Sequence, residues 1–161
     1  MRVMHIATAP APAAAYRERL SPSLWTLLSA AVVAPMVALV FVPLNSVVAL
    51  LAGVAVAVAF IGLLVATSPV VAVRDGELFV GRAHIPVGLL GDPVGLSGED
   101  ARAARGPELS GTAWHVLRGG IDPVVRVAVL DEGDPVSEWV FSTRTPERVV
   151  AAIRRAQAGA R

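Results

Sequence analysis

Cysteine is absent from the 161 residues, and so is lysine; all 14 basic side chains are Arg. Without Cys there are no disulfides, thiolate zinc sites or Cys nucleophile. The Arg residues are nearly balanced by 13 acids, giving a formal net charge of +1. They are too few and too interrupted by acids to line a nucleic-acid groove. Aromatics supply only 5% of the chain. No Gly-x-Ser-x-Gly elbow and no Gly-rich phosphate loop of the Walker or Rossmann type occurs.

The most informative absence is local. No charged side chain lies between Arg19 and Arg74. Hydrophobic residues make up 55% of the chain, above the roughly 45–50% of an ordinary soluble domain, and this interval carries the excess. As a single helix it would run roughly 80 Å, against a hydrocarbon core of roughly 30 Å. Pro43 and Asn45 in "FVPLNSVV" break it midway. The reading is a transmembrane hairpin over 20–67, with helices at about Leu24–Val42 and Asn45–Ala66, and a kink at Pro35. Trp25 suits a membrane interface. Ala30, Ala34 and Ala38 recur at every fourth residue, as do Ala49, Gly53 and Ala57. Such small faces let helices pack closely in lipid.

Arg distribution sets the expected orientation. The connecting loop has none, whereas Arg17, Arg19, Arg74 and Arg82 flank the hairpin. Both termini are therefore expected in the cytoplasm of a multi-pass plasma-membrane protein. Residues 1–19 read as a disordered Ala/Pro-rich tail and cytoplasmic flank. No ionisable group lies within the two helices, which favours an anchor over an ion pathway.

Residues 68–161 read as a cytoplasmic β-rich domain. Asp75-Gly76 marks a hairpin between two short strands, and a third strand follows Gly81. Ser97–Gly106 reads as a surface helical turn capped by Ser97. Val125, Val127 and Val129 alternate with Arg126 and Ala128 as in a half-buried strand. After a turn at Asp131–Pro135 comes a strand over Ser137–Ser142. Thr145 then caps a helix over about 146–157, with Pro146 at its first position and Glu147 at the positive end of its dipole. Val149, Val150, Ile153 and Ala156 share one face of that helix. The expected class is α+β: a two-helix hairpin, then a small antiparallel domain like a pleckstrin-homology split barrel, closed by one amphipathic helix.

Several runs carry a closer resemblance: "YRERLSPSLW", "VRDGELFVGRAHIPV", "ARGPELSGTAWHVLR" and above all "DPVVRVAVLDEGDPVSEWVFSTRTPERV". From Tyr16 to about Ile153 the chain resembles the domain-of-unknown-function 3093 family of actinobacterial membrane proteins. The resemblance implies two membrane helices, a cytoplasmic β-rich domain and no established activity. Glu138 stands before Trp139 where that family has an aromatic in a "PYW"-like string.

Candidate chemistry is sparse, and no cofactor or metal is expected. The carboxylates of Asp131–Asp134 suit a turn better than a cation loop. His84 or His115 with Ser142 and Asp122 is the material for a hydrolase reading. Arg144, Arg148, Arg154 and Arg155 form either a solvated face balancing the helix dipole, or a contact surface for an unidentified protein or anionic lipid. The leading reading is a non-enzymatic, membrane-anchored interaction or scaffold module. The alternatives are a membrane-bound hydrolase and an accessory subunit of a larger membrane complex. Trp114 and Trp139 are expected in the core.

Overall fold

The computed structural model describes residues 16–160; the Ala/Pro tail lies outside them. The chain enters on a strand, β1 (Tyr16–Arg19), and then turns into an apolar hairpin. Its helices are α1 (Leu24–Ala31), α2 (Val33–Phe41) and α3 (Ser46–Ala66). Ser23 Oγ accepts the Thr26 N–H, and Asn45 Oδ1 accepts those of Val47 and Val48 at 2.8 and 3.2 Å. Asn45 thus caps the second arm and is not its first residue. The first arm breaks at Val32, because Pro35 has no N–H for the carbonyl one turn earlier.

Where the arms meet, Ala30, Ala49, Gly53 and Ala57 are buried, with Ala34 and Ala38 half-buried. A Cβ on Gly53 would stand 2.6 Å from the Ala34 carbonyl oxygen and 3.1 Å from Ala38 Cβ. Every other face is bare, so only 6% of the Leu24–Phe41 segment and 17% of the most apolar window of Ser46–Ala66 are buried. Both arms are long and apolar enough to cross a membrane, with mean hydropathy 2.2 and 2.9.

After the hairpin the chain forms β2 (Val70–Arg74), β3 (Glu77–Val80), β4 (Ala83–Pro86) and a short 3₁₀ turn over Val87–Leu89. Next come β5 (Val94–Leu96), α4 (Gly98–Arg105), β6 (Trp114–Val116), β7 (Val124–Ala128), β8 (Glu138–Ser142) and α5 (Pro146–Gly159). Two sheets result, ordered β1-β2-β3-β4 and β5-β7-β8-β6. They share one core but do not close into a barrel. The second sheet is mixed and not wholly antiparallel, since β6 runs parallel to β8. Asp75 and Gly76 both take positive φ, 53° and 76°, giving the primed turn that an Asp-Gly hairpin requires.

The entry strand departs from the sequence expectation. Tyr16–Arg19, expected as a flank of the hairpin with no strand assigned to it, pairs antiparallel with β2 from Tyr16↔Val73 to Arg19↔Val70. The Leu20 N–H extends the ladder to the Pro69 carbonyl at 2.9 Å. The hairpin is therefore an insertion between two adjacent, hydrogen-bonded strands.

The main core joins Val71, Val73, Leu78 and Val80 of the first sheet, Val125, Val127 and Phe141 of the second, and Val149 and Ile153 of α5. Trp139 belongs to it, with Trp114 packed alongside, the ring centroids 4.2 Å apart and the planes tilted by 37°. The second sheet is covered on its other face too. Ala101 and Ala104 of α4 bury Val124 and Val140, so α4 is a packed element and not a surface turn. Double coverage explains why every residue of β8 is buried.

Gly53→Leu is expected to force the arms apart and lower the thermal midpoint of the full chain in detergent by the equivalent of about 1–3 kcal/mol. Gly62→Leu, with nothing within 4 Å of its added Cβ, should leave it unchanged; equal effects would refute the packing argument.

Candidate functional site

The Ser-Thr-Arg-Thr run, Ser142 to Thr145, joins β8 to α5, and its hydroxyls bond to groups remote in sequence and not as a helix cap. Thr145 stands at the cap position of α5, but its side chain makes no cap bond. Its hydroxyl meets the Tyr16 hydroxyl at 2.8 Å instead. Thr143, fully buried, donates to Glu18 Oε2 and accepts the Thr145 N–H at 3.2 Å. Tyr16 donates to the same Glu18 oxygen at 2.7 Å, and the Arg144 N–H reaches Glu18 Oε1 at 2.9 Å. One carboxylate from β1 thus gathers three donors and pins the strand-to-helix joint to the root of the hairpin.

Arg144 completes this clasp. Its guanidinium donates to the carbonyls of Arg19 (3.3 Å) and Ser21 (2.8 Å), with Glu18 Oε1 3.8 Å away. Arg19 in turn donates to the Ala66 carbonyl at 3.2 Å, the last residue of α3. The chain just before the hairpin is therefore held to α5's approach on one side and to the hairpin's exit on the other. Burial pushes the Tyr16 hydroxyl above the usual phenol value, aided by the adjacent Glu18 carboxylate and opposed by the two threonines.

The other Arg residues singled out in the sequence go separate ways. Arg154 makes a bidentate pair with Asp92 at 2.8 and 2.9 Å, tying α5 to the loop before β5. Arg155 donates to the Ala151 carbonyl of its own helix. Arg148 is exposed and makes no ion pair among the described residues, and with Arg155, Ala151 and Tyr16 it lines an open groove. Of the four, Arg144 and Arg154 are held by partners, while Arg148 and Arg155 share that groove. Gln157, which drew no attention in the sequence, donates to the Leu90 and Gly91 carbonyls at 2.8 and 3.1 Å.

The hydrolase constellation is not assembled among the described residues. Ser142 is fully buried and its Oγ accepts the Arg118 N–H at 3.0 Å. Asp122 pairs with Arg105. His84 stacks on Phe79, and His115 is exposed on β6. In the acidic turn, Asp131 and Asp134 accept the N–H groups of Gly133 and Val136, the bonds of Asx turns. No cluster of three metal-ligating side chains occurs among the described residues.

The segments that carry the clasp, β1 and the joint after β8, both lie within the span that matches a known family. A model for a protein of unknown function (DUF3093) matches residues 15–153. The chain belongs to this family. No curated protein and no solved structure matches it. In this DUF3093 chain Glu138 has a defined place: it is buried and accepts Arg126 Nε at 2.6 Å and Nη2 at 3.3 Å. That pair holds the Arg126 guanidinium charged more firmly than usual.

Glu18→Ala is expected to cost about 2–3 kcal/mol, because it strands the buried Thr143 hydroxyl and the Arg144 N–H; chemical unfolding in detergent measures it. Tyr16 is the single tyrosine of the chain, so tyrosinate absorbance reports on it alone. Its folded value is raised, so the stability it contributes is present below pH 10.0, the ordinary phenol value, and is lost as pH rises through the folded value. The native titration should run above that of the unfolded chain; coincident curves would show that the hydroxyl is not buried.

Proposed function

We propose that this protein is a non-enzymatic, membrane-anchored interaction or scaffold module. The hairpin spans the plasma membrane twice, both termini are cytoplasmic, and the β domain is presented at the inner face to a protein partner or to lipid. The observation that carries this reading is a bare apolar hairpin set between two hydrogen-bonded strands. The buried core helix of a soluble protein has its apolar side chains covered, whereas here Trp25, Leu39 and Leu50 stand 77%, 71% and 63% exposed. So large a continuous apolar surface calls for lipid or partner helices.

The strand pairing favours two crossings, since both roots of the hairpin meet in the β1–β2 ladder on one side. The Arg pattern favours the cytoplasmic side for that end. Two sheets around one core with a single C-terminal helix support a distant pleckstrin-homology-like relation, which fold alone does not turn into an activity. The hydrolase reading has no Ser–His or His–Asp hydrogen bond behind it among the described residues. An accessory role in a larger complex would use the same bare helix faces as lipid does, so no separate observation favours it.

The test is to replace Pro22–Thr67 with an Asn-Gly turn, which the β1–β2 register accommodates. The full chain should resist alkaline extraction from membranes with a reporter after Arg161 in the cytoplasm, while the excised form should be soluble and keep its β signal. A full chain released by alkali, or a reporter outside, would refute the anchor or its orientation.

A further inference from the structure

Most Arg side chains around the clasp and α5 are committed to partners, but Arg17 and Arg74 on the outer face of the first sheet pair with no carboxylate or carbonyl among the described residues. The register sets Arg17, Ala72, Phe79 and His84 in one row across β1 to β4. Val71, Val73, Leu78 and Val80 point into the core, so this row faces outward. Ala72 and Gly81 are too short to fill the space between Arg17, Arg74 and Phe79, and a hollow of about 340 Å³ remains. That is the lower end of the size range for small-ligand sites.

The Arg74 guanidinium lies 4.5 Å from the centroid of the Phe79 ring, which is itself stacked on His84 at 5.5 Å. A cation held by a ring face keeps its N–H donors, which lie in the guanidinium plane, available for an oxyanion. Neither Arg17 nor Arg74 pairs with a carboxylate among the described residues. The acids of this sheet's outer surface, Asp75 and Glu77, flank Arg74, with Glu77 directly across from it in the register, but the Arg74 guanidinium leans onto Phe79.

Nearness to the hairpin selects the ligand. Arg19, one outward position nearer the hairpin than Arg17, reaches the last residue of α3 with its guanidinium. Arg17 follows roughly 7 Å further along the strand, in the β1–β2 ladder from which the hairpin leaves. The geometry points to a binding site for the phosphate of an anionic phospholipid headgroup, in the leaflet next to the β domain. Arg17 and Arg74 clamp the phosphate oxygens, and Ala72 and Gly81 form the floor. This rests on the membrane anchoring proposed above, and it assigns the contact to the first sheet and not to α5. A planar, doubly donating guanidinium on each side suits a phosphodiester better than a lysine pair would.

The test uses the full chain in nanodiscs containing equal phosphatidylcholine and phosphatidylglycerol, with retained lipid read by native mass spectrometry. Wild type should retain phosphatidylglycerol preferentially, and Arg17→Gln/Arg74→Gln should lower that preference about thirty-fold, roughly five-fold for each Arg. The charge-matched Arg102→Gln/Arg154→Gln variant should keep it. Ala72→Met, which fills the floor without changing charge, should lose it while near-ultraviolet circular dichroism stays native. Equal retention in the two double variants would overturn the site, as would wild type that enters the discs with no lipid preference. Binding of inorganic phosphate in discs of phosphatidylcholine alone, with no preference for phosphatidylglycerol, would assign the hollow to a free anion and overturn the lipid ligand. A chain that fails to enter discs would overturn the anchor as well.

Discussion

The ladder between β1 and β2 is the constraint on which the rest of the molecule depends. It brings together two segments separated by the whole hairpin, Arg19 opposite Val70, and the hairpin itself does much to bring them close. Antiparallel arms packed through Ala30, Ala49, Gly53 and Ala57 return the chain near its starting point, so the loop-closure cost of a long insertion is met locally. The Glu18 carboxylate then extends the same junction to the far end of the chain through Thr143 and the Arg144 N–H. Hairpin root, first sheet and the start of α5 are one hydrogen-bonded assembly.

A tether of this kind differs physically from a domain on a flexible linker. Two short connections, Leu20–Ser23 and Thr67–Pro69, join α1 and α3 to paired strands. Leu20 is fully buried in the domain's own core, and Ser68 is buried with its hydroxyl on the Leu64 carbonyl. Movement of the domain relative to the hairpin must therefore disturb buried groups. The domain's outer surfaces keep a fixed height and facing with respect to the helices, which gives positional meaning to individual side chains such as Arg17.

The uniform use of Arg conceals a division of labour. Arg144, Arg126 and Arg154 each make several directed bonds that only a planar guanidinium offers, to carbonyls in the first case and to carboxylates in the other two. Arg144 and Arg154 join elements far apart in sequence, and Arg126 ties the consecutive strands β7 and β8. Arg17 and Arg74 lie on a sheet face whose core-facing side is already saturated with Val and Leu, and they pair with no carboxylate among the described residues. Composition shows the same residue in each case; only the partners distinguish structural from available charge.

The hairpin, its break near Pro43, the small-residue faces, the Asp-Gly turn and the last helix were legible in the sequence, because each rests on local chemistry: charge exclusion, backbone propensity or a fixed period. Non-local pairings were not legible. A run such as "YRER" has no strand pattern of its own and becomes a strand only because β2 offers it a free edge. The parallel placement of β6 beside β8 and the burial of α4's small side chains against Val124 and Val140 are likewise decisions of packing. Thr145 makes no cap bond, and its hydroxyl meets that of Tyr16, remote in sequence, at 2.8 Å. The sequence by itself thus determined the elements and the apolar segment, through interactions spanning a few residues. Tertiary structure alone decided which Arg and Thr are spent in the clasp and which Arg pair with no carboxylate among the described residues, since a hydrogen bond depends on distance in space and not along the chain.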